Sequence, residues 1–193
     1  LHKNIFDKND ADEILRTILQ EGLSPVVFSL INGEQKFMYL KDKLNAPTQE
    51  FINKRLSDNR NLPVDSENRL FDGETYYFTL IGDEDKTKPL YELYKDKYQC
   101  YFQRDMYSGD YWLEITPKCA TKASAVKQLA TLLGCEYIVA FGDGINDIEM
   151  FSVANEAYAV ENAVDALKAK ATAIISKNTD DGVAKWLSAH YNK

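Results

Sequence analysis

The sequence predicts an α/β protein in two parts: an α+β region with an antiparallel sheet over residues 1–116, then part of a parallel, doubly wound sheet over residues 117–193. Three observations predict it. The apolar run Tyr137-Ile138-Val139-Ala140-Phe141 is followed at once by Gly142-Asp143-Gly144-Ile145-Asn146-Asp147. That pattern reads as a strand buried on both faces, turning tightly into a helix that starts near Asn146. Hairpin signals fill the first part instead: Val26–Ile31 and Gln35–Leu40 flank Asn32-Gly33, and Tyr98–Arg104 and Tyr111–Ile115 flank Ser108-Gly109-Asp110. From Thr116 onward β and α segments alternate with brief connections, which is the grammar of a parallel sheet.

In chain order, Asp10-Ala11-Asp12-Glu13 resembles a capping box. Ala11, Ile14, Leu15, Ile18 and Leu19 then repeat at helical spacing until Gly22, giving an amphipathic helix. After the first hairpin, Pro47 suits a first helical turn with Phe51, Ile52 and Leu56 as its buried stripe. Residues 59–68 read as a polar, irregular connection. Thr75–Ile81 is a third strand, and Pro89, Leu90, Leu93 and Tyr94 suggest a short helix before the second hairpin. The resulting layout puts helices on one face of an antiparallel sheet. Nine of the twelve tyrosines fall between Tyr39 and Tyr111, which suits half-buried sheet formers better than a sugar-stacking surface. In the second part, Ala125, Val126, Leu129, Leu132 and Leu133 form a helix stopped by Gly134. Ile148, Phe151 and Val153 belong to the helix after the loop. Strands at Ala157–Val160 and Thr172–Ile175 flank a helix around Ala163–Ala169, and a closing helix bears Val183, Trp186 and Leu187. Three strands are few for such a sheet, so the expectation is that something completing it lies outside these residues.

Bulk numbers exclude several function classes. A 193-residue chain with 45% hydrophobic residues has ample core for one domain or two small ones. The net charge of −7 divides into −5 for residues 1–118 and −2 for residues 119–193, so neither part offers a basic face to nucleic acid or an anionic membrane. Cys100, Cys119 and Cys135 are odd in number and lack CxxC spacing, which suits reduced thiols in a cytoplasmic protein. No apolar run approaches a membrane span and no signal peptide opens the chain. His2 and His190 are the only histidines, which argues against a histidine triad or zinc site.

The chemistry concentrates in the loop. Asp143 falls at the carboxyl end of the strand and Asp147 in the first helical turn, where open α/β sheets bind ligands. Gly142 and Gly144 let the backbone bend beside whatever the carboxylates hold, and a helix start offers N–H groups to an anion. A hard cation bound to a phosphate fits both halves. The bland alternative is an ordinary capped turn. Asp147 stands where a dinucleotide fingerprint needs glycine, and Ile148 and Ala154 stand where an EF-hand loop needs glycine and glutamate.

Lys122 opening a helix, then Gly142-Asp143-Gly144-Ile145-Asn146-Asp147, Glu161-Asn162-Ala163 and Asp181-Gly182-Val183-Ala184 resemble, in order, the haloacid dehalogenase superfamily. The likeness is specifically to its Cof-like branch, subfamily IIB, of sugar-phosphate phosphatases. It is tight over residues 113–193 and rests on layout alone over residues 1–112, which resemble that branch's substrate-covering cap. The resemblance implies a Rossmann-like core and transfer of a phosphoryl group to an aspartate in an N-terminal Asp-x-Asp motif, with magnesium bridging the two, followed by hydrolysis. It further implies Asp143 and Asp147 as the metal residues, Asp147 acting through a bound water or a hydrogen bond. Asn146 would face the phosphate or substrate. Lys122, with Asp147 among the catalytic residues, would neutralise the transferring group. A lysine in a first helical turn opposes the macrodipole unless it faces an anion, and is otherwise a solvated surface residue. Asn162 reads either as a helix cap or as support for the site.

The pattern also has a departure. No strand ending in Asp-x-Asp with a following Thr or Ser motif is recognisable, and Ile5–Asp10 spaces its carboxylates by three. The expectation is therefore a C-terminal piece of a longer protein, inert alone, with an exposed core edge that invites homo-oligomerisation. The implied function is a magnesium-dependent phosphatase of small phosphorylated metabolites, sugar phosphates first. The alternative is a non-catalytic module that binds a phosphorylated ligand or a protein, and a weaker one is mutase or phosphonate chemistry.

Overall fold

Asn32 and Gly33, at φ 52° and 83°, make the tight turn that joins β1 (Val26–Ile31) to β2 (Glu34–Leu40) in antiparallel register. The structure, a computed structural model, describes residues 3–105 and 108–191; His2 and Tyr107 fall outside them. The chain divides into two compact units, Leu1–Cys119 and Ala120–Lys193.

Unit 1 adds β3 (Asn61–Val64), β4 (Glu74–Gly82), β5 (Gln99–Arg104) and β6 (Tyr111–Thr116). The six-stranded sheet has the order β3-β2-β1-β4-β6-β5, antiparallel except for the parallel β2–β3 pair. The helices are α1 (Lys8–Gln20), α2 (Ala46–Asn53) and α3 (Glu84–Tyr94). Period-two alternation sends Val27, Met38, Phe78 and Leu113 to one face, where they pack with Ile14, Leu15, Ile18 and Leu90 of α1 and α3. Val26, Phe37, Tyr39 and Ile81 turn to the opposite face and pack with Phe51 and Ile52 of α2. The expectation of helices on a single face is thus corrected: α2 lies across the sheet from α1 and α3.

Three further details of unit 1 differ from the sequence reading. The N-cap of α1 is Asp7, whose carboxylate accepts from the Asn9 N–H at 2.9 Å, so the helix starts before the expected capping box. β3 occupies the stretch read as irregular. It is a four-residue edge strand containing Pro63, too short and too polar to show a period. Leu56, placed on a buried stripe, is 63% exposed. Leu56 follows the end of α2, where the chain no longer presents a stripe to the sheet.

Unit 2 contains α4 (Lys122–Leu133), β7 (Val139–Gly142), α5 (Ile148–Phe151), β8 (Glu156–Val160), α6 (Asp165–Lys168), β9 (Ala173–Ile175) and α7 (Gly182–Tyr191). Its strands are parallel in the order β7-β8-β9, the α/β arrangement expected. Ala140, Phe151, Ala157, Ala159, Val160, Ala163 and Leu167 form the core. β7 is an edge strand here and is not buried on both faces: it pairs only with β8 among the described residues, and Tyr137 is 59% exposed. The apolar stripe of α4 is likewise open, with Leu129, Leu132 and Leu133 all more than half exposed. Gly134 ends α4 at φ 65°, as a C-terminal glycine does. Among the described residues no helix is long and apolar enough to cross a membrane.

Candidate active site

The carboxyl end of β7 leads through Asp143 and Gly144 into a single 3-10 turn, Ile145–Asp147, and then into α5. This turn folds Asp147 back under the loop it has just left. Asp147 is buried, at 3% exposure, and its two oxygens are both engaged. Oδ2 accepts the backbone N–H groups of Asp143 at 3.0 Å and Gly144 at 3.1 Å. Oδ1 accepts from the ammonium of Lys122. The glycine at position 142 is required by this packing, since a Cβ there would come within 2.8 Å of the Asp147 side chain.

Burial raises the carboxyl pKa of Asp147, but the Lys122 ammonium and the N–H groups of Gly144 and Asp143 together outweigh it and hold the group below its ordinary value. Lys122 is the first residue of α4, behind the N-cap Thr121, whose hydroxyl accepts from the Ser124 N–H at 3.1 Å. A cation there opposes the helix dipole, and the anion that offsets this is Asp147 itself. The loop N–H groups that suit an incoming anion are occupied in the same way, by a side chain of the chain's own.

The structure therefore brings Lys122, Asp147 and the backbone of Asp143 and Gly144 onto one carboxylate. The side chain of Asp143 is exposed at the strand end and accepts no hydrogen bond from the described residues. Asn146 is also exposed; its Oδ1 leans over Gly144, where a Cβ would come within 2.8 Å of it. Asn162 is not the cap of α6, a position held by Val164. Its Oδ1 accepts from the Asn178 N–H at 3.1 Å and so ties the loop after β8 to the 3-10 turn Asn178–Asp180. Val164 donates its N–H to the Asp143 carbonyl at 3.0 Å, which anchors the loop after β7 from that same segment. Sequence reasoning did not single out Val164, because a backbone contact leaves no mark on residue type.

Magnesium is commonly held by one or two carboxylates, with phosphate oxygens and waters completing its shell. Asp143 fits as one such ligand, being a carboxylate with both oxygens open beside a glycine-walled loop. Asp147 has both oxygens engaged and fits a supporting position. Among the described residues no group of three or more potential ligands converges, so unit 2 offers one ligand and not a complete shell.

Comparison with known proteins gives four concordant findings. The sequence profile described as haloacid dehalogenase-like hydrolase matches residues 1–187. The 5-amino-6-(5-phospho-D-ribitylamino)uracil phosphatase YwtE of Bacillus subtilis is 35% identical over 130 residues, 65% of this chain and 44% of that one. A haloacid dehalogenase-like hydrolase structure from Bacteroides thetaiotaomicron superposes with TM-score 0.75 at 20% identity, covering 99% of this chain and 70% of that one. A haloacid dehalogenase subclass IIB sugar phosphatase superposes with TM-score 0.72 at 19% identity, covering 97% and 68%. The chain thus spans under half the length of that curated relative and about 70% of the solved structures.

Proposed function

The chain belongs to the haloacid dehalogenase-like hydrolases, and from that premise we propose that it is the substrate-selecting and metal-supporting portion of a phosphatase for small phosphorylated metabolites. Its relatives' names support the substrate class: one acts on a phosphorylated ribityl compound and another is a sugar phosphatase. The observation that carries the reading is the buried Asp147. It draws Lys122 and the Asp143 backbone to one point at the carboxyl end of β7 and leaves the Asp143 carboxylate open to solvent.

Phosphoryl transfer spreads negative charge over the equatorial oxygens, so catalysis consists of positioning and cations. Magnesium, when bound, would supply a divalent charge to the phosphate oxygens, with Asp143 as one of its ligands. Asp147 aims the Lys122 ammonium, whose half-exposed side chain retains donors for a phosphate oxygen. Asn146, exposed at the loop tip, is placed to hydrogen-bond the same group. Unit 1 is proposed as the cap that selects the substrate. No nucleophile is assigned among the described residues. Asp10 and Asp12 lie on α1, Asp83 and Asp85 at the start of α3, and neither pair follows a parallel strand. The reading therefore expects phosphate release from the full-length gene product and none from residues 1–193 alone. The three free cysteines suit action in the reducing cytoplasm.

The test is phosphate release by the full-length gene product against small phosphate esters, with magnesium titrated. Asp143→Asn is expected to lower kcat by at least ~100-fold, as loss of a metal ligand or comparable charge stabiliser does. A variant with full activity and unaltered magnesium dependence removes Asp143 from the site.

A further inference from the structure

The backbone of Asp143 is held from two sides while its carboxylate stays open. Its N–H donates to the Asp147 carboxylate at 3.0 Å, and its carbonyl accepts from the Val164 N–H at 3.0 Å. The first contact is internal to the loop after β7. The second comes from the loop after β8, so the direction in which the Asp143 side chain leaves the strand end depends on where that second loop stands.

Little apolar packing fixes the β8 loop at this point. Ala163 is buried and turns back on β8, its N–H donating to the Val160 carbonyl at 2.8 Å, but Glu161, Asn162 and Val164 are exposed. What braces the loop from its far side is the Asn162 side chain, whose Oδ1 accepts the Asn178 N–H at 3.1 Å. Exposed asparagines commonly bond to backbone a few residues away and so close local turns. This bond spans 16 positions and joins the loops that follow two neighbouring strands, so it acts between loops. Asn178 opens the 3-10 turn Asn178–Asp180, whose place is set in turn by the residues behind it. Asp181, at φ 56°, reverses the chain, and the Gly182 N–H donates to the Lys177 carbonyl at 3.0 Å. A Cβ at position 182 would lie 1.9 Å from the Ser176 carbonyl oxygen, so glycine is what lets α7 start this close to the end of β9. The loops after β9, β8 and β7 are thus joined in series by the Asn178–Asn162 and Val164–Asp143 hydrogen bonds.

Resting on the reading of Asp143 as a metal ligand, we propose that Asn162 is a positioning residue for magnesium binding. With the Asp181-Gly182 turn behind it, it holds the loop after β8 so that Val164 aims the Asp143 carboxylate. Its loss widens the range of Asp143 orientations, which weakens the metal and leaves the chemistry of the loaded site unaltered.

Two substitutions break the Asn178–Asn162 bond from opposite ends. Asn162→Ala removes the acceptor. Asn178→Pro removes the donor at the first position of its turn, after an extended Lys177 at ψ 153°, where proline fits without strain. In residues 1–193, amide exchange at Val164 should quicken about 3–10-fold in either variant, the span of one net hydrogen bond, and no further in the double variant. Asn162→Asp keeps the acceptor and should restore the parent's rate. In the full-length gene product the magnesium midpoint, read from the shifts of the Asp143 and Gly144 amides, should rise about 3–10-fold in both variants, with kcat at saturating magnesium unchanged. Thermal unfolding establishes that each variant folds. The inference is overturned if Val164 exchanges as in the parent in both variants, if the magnesium midpoint does not move, or if kcat falls while the midpoint stays. If the parent hydrolyses no ester, the phosphatase reading falls, and the exchange and magnesium titrations still decide the role of Asn162. Hydrolysis with unmoved midpoints removes that role alone.

Discussion

Asp147→Ala tests whether one buried carboxylate organises the loop after β7. The substitution removes the acceptor of two backbone N–H groups and of the Lys122 ammonium. The Asp147 side chain is 4% exposed, so the Asp143 and Gly144 donors stay dry and unpaired, at about 1–3 kcal/mol each. The Lys122 side chain is 48% exposed and turns to water, so its share is small. The sum, allowing for partial relaxation, is ~2–4 kcal/mol, which for a unit of this size lowers the unfolding midpoint by roughly 10–25 °C. Thermal unfolding followed by Trp186 emission in a Trp112→Phe background reads the midpoint, and amide exchange at Asp143 and Gly144 reads the local effect. An unchanged midpoint with unchanged protection at both amides would refute the reasoning. The sign of the pH dependence follows from the same contacts. The folded pKa of Asp147 lies below its ordinary value, so the stabilisation is complete above the unfolded value near 3.8 and is lost as pH falls through the folded one. Unit 2 of the parent should therefore lose stability as pH falls below about 4, and the alanine variant should show a flatter profile there.

Other expectations follow from single contacts. A Cβ on Gly182 would lie 1.9 Å from the Ser176 carbonyl oxygen and 2.9 Å from that of Lys177, so Gly182→Ala should cost more than ~3 kcal/mol by calorimetry. Gly134→Ala meets nothing within 4 Å and carries only its φ of +65°, so it should cost about 1 kcal/mol; equal losses at the two sites would show that backbone contact does not decide. Burial pushes the Cys100 thiol up to about 12, while Cys119 and Cys135 are exposed. A disulfide reagent at pH 8 should titrate two thiols quickly and Cys100 only after denaturation; three equal rates would contradict the placement.

Local chemistry in the sequence was legible wherever residue type alone decides the backbone. Asn32-Gly33 sits at positive φ because few other pairs tolerate it, and the hairpin register follows from that turn. The αL end of α4 at Gly134 is legible for the same reason. What the chain did not disclose depends on partners distant in sequence. Alternation along β1 and β2 shows that both faces are apolar, but not that α2 takes the face opposite α1 and α3. The run Ile138–Phe141 looks like a strand covered on both sides because composition reports tolerance of burial, and burial itself requires neighbours. Among the described residues β7 has one, β8, and the apolar stripe of α4 stands open for the same reason. In the site, residue type and spacing distinguished Asp143 and Asp147 by position, and only the family resemblance assigned them different roles. Their separation into one open carboxylate and one engaged carboxylate arises from the 3-10 turn Ile145–Asp147, whose tightness no residue in it announces.

That separation bears on how the loop is prepared for its ligand. A glycine loop at a strand end could depend on an incoming phosphate to order its N–H groups, as anion-binding loops do. In this chain the Asp143 and Gly144 donors are already satisfied by Asp147, and Gly142 leaves the space that lets the carboxylate reach them. The loop's shape is therefore fixed before any metal or phosphate arrives, and the Asp143 side chain is presented by a backbone that need not reorganise. Lys122 is bound to the same carboxylate, so its ammonium is held near the strand end at little entropic cost when a second anion approaches. Preorganisation of this kind predicts that amide exchange at Asp143 and Gly144 is slow in the metal-free protein and little altered by magnesium with phosphate. Protection that appears only on adding them would mean that the ligand, and not Asp147, builds the loop.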